Sequence, residues 1–546
     1  MRPAGVKDGL FAICRAACLL ALAPALAAAD WSPPLGIPAP PFGIAESHLM
    51  YAEQPGYRDA GHGPYTVYVD NTAEGCDDAG PATQEQPRCS IPADIRAPGT
   101  VVEVHGGPYE FGGGDITIDA NGTAERPVFL RGVDDGSGLP VIYDADTVTL
   151  QGRWFIVENF VFHRSQVRNG GRVPAPYGRS HITVRNVEIK EHPRKNGAVL
   201  LGSHIVFWRN HVHHNQADDR HGATVGPGTE HVWILDNHIH HNGGDAVQLC
   251  HGCRREPPRF VYIGRNLMHS DRENGVDLKY GENIVVSQNV LHGYSGARAG
   301  VRWCFDDGSG CRTYSSGSDG SAVVIGSDGA PANSWIVFNR IYGSNHGIRV
   351  EEARNAWIVG NTIHGIRNRA IALEKEAEPL YIVSNTIAGA RLGIDQYWRK
   401  NFSLHIHDNV FTGIRKAVFH ADDEVVARSV VEHNLFWNDG KSIPFEWGRF
   451  SGPASDSSDL RSMFGDGNVV GDPAFVDPAS ANFNLRETSA AIDAGSDMLA
   501  VLDEEYRKVF GADLSIARDA EGRVRPAAGR EGGEAIADIG SHEYAP

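Results

Sequence analysis

Apolar and polar positions alternate along this chain in short bursts, and the bursts repeat. Each is a β-branched or aromatic run, then an asparagine, then an apolar-x-apolar pair. Strong copies are FWRNHVHHN around Asn210 and ILDNHIHHN around Asn237, with weaker ones at Asn266, Asn289, Asn339, Asn361, Asn385, Asn409 and Asn434. Asn159 in IVENFVFHR and Asn186 in TVRNVEIKE read as two earlier copies. A further short run follows a glycine, as in Gly275-Val276-Asp277-Leu278-Lys279 and Gly347-Ile348-Arg349-Val350. Period-two alternation bounded by Gly, Asn and Asp predicts short strands, and no window reads as a long amphipathic helix. Asn339 and Asn361 are 22 residues apart, and the next steps are 24, 24 and 25. A unit this small cannot bury its apolar face alone and has to stack on its neighbours.

The expected architecture is therefore all-β: a single-stranded right-handed parallel β-helix, a solenoid of one coil per repeat, with a C-terminal covering tail. Like residues then stack in columns. The asparagine column reads as structural, its amides bonding along the stack at a turn where Asn tolerates left-handed backbone. The 50 residues from Asn289 to Asn339 hold an irregular Gly- and Ser-rich insertion, residues 295–318, of the kind that shapes binding sites.

Residues 1–29 read as a secretory signal, with Arg2 and Lys7 before an apolar stretch and small residues before Asp30. Residues 30–64 read as a proline-rich arm, 65–495 as the β-helix and 496–546 as the tail. No other segment is long and apolar enough to span a bilayer. The expected location is periplasmic or extracellular. Beyond the signal the cysteines fall into three close pairs, Cys76/Cys89, Cys250/Cys253 and Cys304/Cys311, which suits local disulfides after export. The Cys250-His-Gly-Cys253 spacing also fits a metal or redox knuckle, without a second such pair. The formal net charge is −18, which argues against a nucleic-acid partner. A polyanionic sugar would likewise be repelled overall, so a cleft for one needs local cations or bound metal. The chain reads as a monomer.

Alignment of the coils on the glycine-led strand points Val276 and Leu278 inward and Asp277 and Lys279 outward. The column through Asp277 runs Val199, Thr224, Gln248, Asp277, Val324, Arg349, Ala372 and Asp395. Asn242, Asp245, Asp271, Glu273 and Asn274 lie just upstream on two of these coils. Clustered Asp, Glu and Asn oxygens suit Ca²⁺, a hard cation. A lysine beside such a metal would have its pKa lowered and would serve as a base. The same residues also fit a solvated sheet face with ordinary Lys–Asp pairs. His213, His240, His269, His292 and His364 each fall three residues after a ladder asparagine and share a column. They read either as stacked turn residues or as a row able to bind metal or donate protons. His240 and His269, on the coils nearest Lys279, are the candidate acids.

Two stretches resemble polysaccharide lyase family 6, the chondroitinase B and alginate lyase type, within the pectate-lyase-like β-helix superfamily. PGTVVEVHGGPYEFGGGDITIDANGTAERPVFLRG is similar to that family's opening coil, and Lys279-Tyr-Gly-Glu-Asn-Ile284 to its catalytic-lysine segment. The resemblance implies Lys279 as base and Asn242, Asp271 and Glu273 as calcium ligands, with Asn274 as a register alternative. Asp245 and Asp277 stand beside them as further ligand candidates. The family pairs its lysine with an arginine one coil later; Ser321–Gly326 has none, and Arg302 or Arg349 is the expected replacement. The implied reaction is β-elimination on a uronic-acid polysaccharide. A glycoside hydrolase, a uronan C5-epimerase and a non-catalytic carbohydrate-binding envelope protein are the alternatives on this fold.

Overall fold

The structure is a computed structural model that describes residues 31–46, 66–169, 179–296, 302–305, 308–313, 319–398, 401–526 and 535–544. The predicted signal segment, 1–29, lies outside the described residues, as do residues 30 and 47–64 of the arm. The repeat folds as stacked coils of three strands. One coil is traced by Arg259–Gly264, Leu267–His269 and Val276–Leu278, and each strand pairs in parallel with its counterpart on the next coil. The short middle strands form their own 14-stranded sheet. The other two columns merge into one sheet because some strands, such as His346–Val359 and Arg369–Val383, pass the corner without a break. Inward residues of all three columns, Val261, Ile263, Met268, Val276 and Leu278 among them, are fully buried in one core that runs the length of the stack. Among the described residues no helix is long and apolar enough to cross a membrane.

The asparagine ladder is physical. The Asn237 side chain accepts from the Asn210 backbone N–H at 2.8 Å, and Asn237 Nδ2 donates to Asn266 Oδ1 and to Phe207 O, each at 2.9 Å. The same pattern continues to Asn434, which is bonded in turn to Asn468, a rung the repeat pattern did not reveal. Two details differ from expectation. The left-handed residue is the one before each rung, as at Arg209, Asp236 and Arg265, rather than the asparagine. And Asn159 and Asn186 are not rungs. Val161 pairs with Glu188 and Glu188 with His211, so the ladder column holds Phe160, Val187 and then Asn210. Asn159 and Asn186 take the left-handed position themselves, at φ 62° and 52°. One residue of slip exchanges an inward for an outward position, and a buried Phe160 shows which register won.

The arm and the tail cover one outer face of the long-strand column. Residues 31–46 lie along it, with the Trp31 indole on Asp236 at 2.9 Å and the Leu35 N–H on Gln288 at 2.8 Å. The tail contributes a 13-residue helix, Met498–Phe510, that the sequence pattern did not flag. Its Leu499, Leu502 and Tyr506 pack on Trp208, Trp233, Trp335, Trp357 and Ile37. The three expected cysteine pairs are joined as disulfides.

A buried ionic triad ties the arm to the early coils. Glu158 accepts from Arg131 Nε at 2.5 Å and from Arg185 Nε at 2.7 Å, and Arg185 donates onward to the carbonyls of Gly43 and Glu46. Burial alone would raise the Glu158 carboxyl; the two guanidinium charges outweigh it and bring it to about 2 from 4.5. A depressed carboxyl stabilises the fold above its unfolded value, and that contribution is lost as pH falls from about 4.5 through about 2. Glu158→Gln leaves two buried cations uncompensated and is expected to cost about 3–5 kcal/mol at neutral pH. Its denaturation midpoint should also lose the acid sensitivity of the native chain in that window; an unchanged midpoint would contradict the triad.

Candidate functional site

The outward column forms as aligned: Val199, Thr224, Gln248, Asp277, Val324, Arg349, Ala372 and Asp395 pair in succession, one per coil. At its centre the Lys279 ammonium lies 2.9 Å from Asp277 Oδ2 and 3.3 Å from Ser327 Oγ, and Ser327 donates to Asp277 Oδ1 at 2.8 Å. Glu273 lies beside them, paired with Arg272 at 2.7 Å. Burial, reinforced by the Asp245 charge, pushes Glu273 up to about 7 and Asp277 up to about 6. Burial works to lower Lys279, but the charges of Asp277, Asp245 and Glu273 prevail and hold it above the ordinary lysine value.

Behind this cluster Asp245 faces His221 Nδ1 at 3.3 Å. Burial opposes both charges, yet each favours the other's charged form: His221 is raised and Asp245 lowered, and the Asp245 N–H donates to His221 Nδ1 at 2.9 Å. His221 escaped the sequence reading, although a signal existed. It stands two residues before the strand residue Ala223, as Asp245 stands before Val247 and Asn274 before Val276.

Three of the five expected calcium ligands are corrected by this geometry. Asn242 and Asp271 sit in a second interior ladder: Asn215 Nδ2 donates to Asn242, and Asn242 N and Nδ2 donate to Asp271 Oδ1 at 2.9 and 2.8 Å. Tyr294 donates to the other Asp271 oxygen at 3.2 Å, and burial pushes that carboxyl up to about 7. Asp245 sits in a third ladder, accepting from Asn274 N and Nδ2 at 3.0 and 2.9 Å and from Gln248 at 3.0 Å. Asn274, the register alternative, belongs to the same ladder and accepts from Ser321 N. That leaves Glu273 and Asp277, whose oxygens already face Arg272, Lys279 and Ser327. The residues present do not fit one calcium cage, because protein donors and cations already occupy their oxygens.

Arg349 lies two coils beyond Asp277, about 10 Å along the column, and pairs with Glu351 at 3.1 Å and with Asp319 and Glu374 at 3.7 Å. The intervening position is Val324, so the coil after Lys279 carries no arginine in this strand. Arg302 is in a two-residue strand paired with Thr313, and its side chain lies outside the described residues. Further along, Asp395 binds His420 Nδ1 at 2.6 Å. Arg369 pairs with Asp395 and covers the ring of Tyr397 at 4.3 Å. Tyr397 and Trp398 are 53% and 60% exposed, an aromatic shelf at the end of the same face. The sequence reading missed it, although two bulky aromatics just past a strand end were its signal.

His240 and His269 are not brought to Lys279. They stand on the outer surface of the middle-strand sheet and stack on each other with centroids 4.9 Å apart. Burial and neighbouring imidazoles lower both, His269 to about 3. At neutral pH such rings are uncharged and lack the imidazolium proton a general acid would donate.

A parallel solenoid with a column of polar and charged residues along one outer face defines this as a β-helix protein. More particularly, the chain belongs to the right-handed β-helix family: the family described as "Right handed beta helix region" matches residues 158–318 and 307–451. No curated protein sequence matches this chain. Among solved structures it is similar to AlyGC, a family 6 alginate lyase, at 15% identity and TM-score 0.47 over 67% of this chain and 56% of that one. It is also similar to a lacto-N-biosidase of glycoside hydrolase family 136 from Eubacterium ramulus, at 12% identity and TM-score 0.37 over 70% of this chain and 65% of that one. A third similarity is to pectate lyase Pel9A, at 13% identity and TM-score 0.40 over 88% of this chain and 96% of that one. The chain thus spans little more than half the length of AlyGC and about two thirds of the lacto-N-biosidase.

Proposed function

We propose that this protein is an exported, monomeric enzyme that cleaves a uronic-acid-containing polysaccharide by β-elimination. The observation that carries the reading is a lysine and an arginine on one outward face, Lys279 beside Asp277 and Arg349 two coils along, with the Tyr397–Trp398 shelf beyond. A polar face of this length suits several sugar units, and exposed aromatics suit stacking on sugar rings.

In the proposed step, neutral Lys279 takes the C5 proton, the electron pair forms the C4–C5 double bond and the C4–O bond breaks. The Lys279 ammonium so formed passes that proton to the leaving oxygen. Arg349 supplies a cation for the uronate carboxylate. Calcium enters no step. Because its acidic neighbours raise Lys279, the base form is scarce at neutral pH, and turnover is expected to climb as pH rises into the alkaline range. The test is a panel of alginate, pectate, chondroitin and dermatan across pH, with and without EDTA, followed by the ultraviolet absorbance of the unsaturated product. No absorbance from any polymer would end the reading, and loss of turnover in EDTA would require a cation at the site.

A glycoside hydrolase is favoured by one observation, two protonatable carboxyls, Glu273 and Asp277, beside ionised Asp245. New reducing ends without ultraviolet absorbance would select it.

A further inference from the structure

The middle-strand sheet carries a second chemistry that the Lys279 face does not use. On its outer surface His211 and His213 occupy one strand, His238 and His240 the next, and His269 follows on the third. The rings are joined across the coils as well as stacked along them. His211 Nε2 lies 2.8 Å from His240 Nε2, and one coil on the same diagonal recurs between His238 Nε2 and His269 Nε2 at 3.0 Å.

We propose that His211, His213 and His240 form a binding site for a divalent transition-metal ion of the zinc, nickel or copper class. One ring nitrogen from each lies within 4.8 Å of the others. A tetrahedral ion at about 2.0–2.1 Å from each nitrogen separates its ligands by about 3.4 Å, so small ring rotations close the site. Imidazole is a borderline donor that suits these ions and not calcium.

The surroundings are those of a ligating histidine cluster. His240 Nδ1 faces His241 Nδ1 at 2.7 Å; with the Nδ1 proton donated there, the Nε2 lone pair of His240 points at His211. Glu188 Oε1, 3.0 Å from His213 Nε2, places a carboxylate beside the three rings as an orienting partner or a fourth ligand. Burial and neighbouring imidazoles bring His211 to about 3, so the ring is a neutral ligand at neutral pH. His211 and His240 keep partial exposure, which lets an ion enter, while His213 is buried beneath them. The lattice ends where Leu267 replaces the imidazole of the His211 column.

The test uses the full chain, stripped with EDTA and dialysed, and titrated with Zn²⁺ by calorimetry. One strongly bound equivalent is expected. Co²⁺ in its place should give the intense visible absorption of a four-coordinate ion, a readout on the native chain that needs no variant. His211→Asn and His240→Asn should each weaken Zn²⁺ by more than tenfold, whereas His292→Asn, two coils beyond His240 in the same column, should leave it unchanged. The Zn²⁺-induced rise in melting temperature should vanish with the same two variants. Absence of Zn²⁺ binding by the native chain would overturn the site, as would a six-coordinate Co²⁺ spectrum or equal affinity in His211→Asn. Because the cluster lies on a different sheet from Lys279, none of these outcomes bears on the proposed lyase activity.

Discussion

Asn385→Ala is expected to destabilise the protein by about 3–5 kcal/mol, a large loss for one uncharged side chain. Asn385 is fully buried. Its amide donates to Ile358 O at 2.8 Å, Val383 O at 3.1 Å and Asn409 Oδ1 at 2.9 Å, and its oxygen accepts from Asn361 N at 2.9 Å and Asn361 Nδ2 at 3.0 Å. Alanine removes every one of these partners at once and leaves no path for water to replace them. Each buried polar group so stranded costs about 1–3 kcal/mol. Chemical denaturation should show a lower midpoint. Asn159→Ala is the matched control. It removes an asparagine of the same motif that sits at a left-handed turn rather than in the ladder, and should cost only about 1–2 kcal/mol for the unfavourable backbone. Equal losses at the two positions would contradict the register described above.

Lys279→Ala is expected to lower the proposed elimination rate by about 10²–10⁴-fold, the range a positioned general base contributes. Alanine also unpairs Asp277, so a more informative variant is Lys279→Arg. It keeps a cation beside Asp277 but does not deprotonate at accessible pH, and should be as inactive as alanine while folding normally. Asp277→Asn tests the same site from the other side. Asp277 is the nearest anion raising Lys279, so its removal should lower the lysine pKa and move the rising limb of the pH–rate profile toward neutrality. Full activity in Lys279→Arg, or an unmoved profile in Asp277→Asn, would remove Lys279 from the role of base.

Much of this was legible in the chain. The repeat defines coils, and period-two alternation sorts inward from outward residues within each strand. The column from Val199 to Asp395 therefore comes out in the observed order, with Val324 between Asp277 and Arg349. The same logic places His213, His240, His269 and His292 in one column, with Tyr342 and His364 following.

What alternation does not reach is the turns, where a left-handed residue such as His241 or Ser270 reverses the side-chain direction before Asn242 and Asp271. Asn242, Asp271 and Asp245 read as an exposed ligand set, yet the folded turns aim them inward to satisfy buried backbone groups on neighbouring coils. His221 joined the site from the position two residues before its strand, as Asp245 did. Asn159 and Asn186 matched the motif by letter and missed it by one position, because the burial of Phe160 and Val187 outweighed the likeness. The sequence by itself determined the architecture, since short alternating strands at a steady spacing can bury their apolar faces only by stacking. Tertiary structure alone decided which polar groups are spent holding the coils together and which remain for chemistry, because that depends on hydrogen bonds between coils and on the charge each group meets once buried.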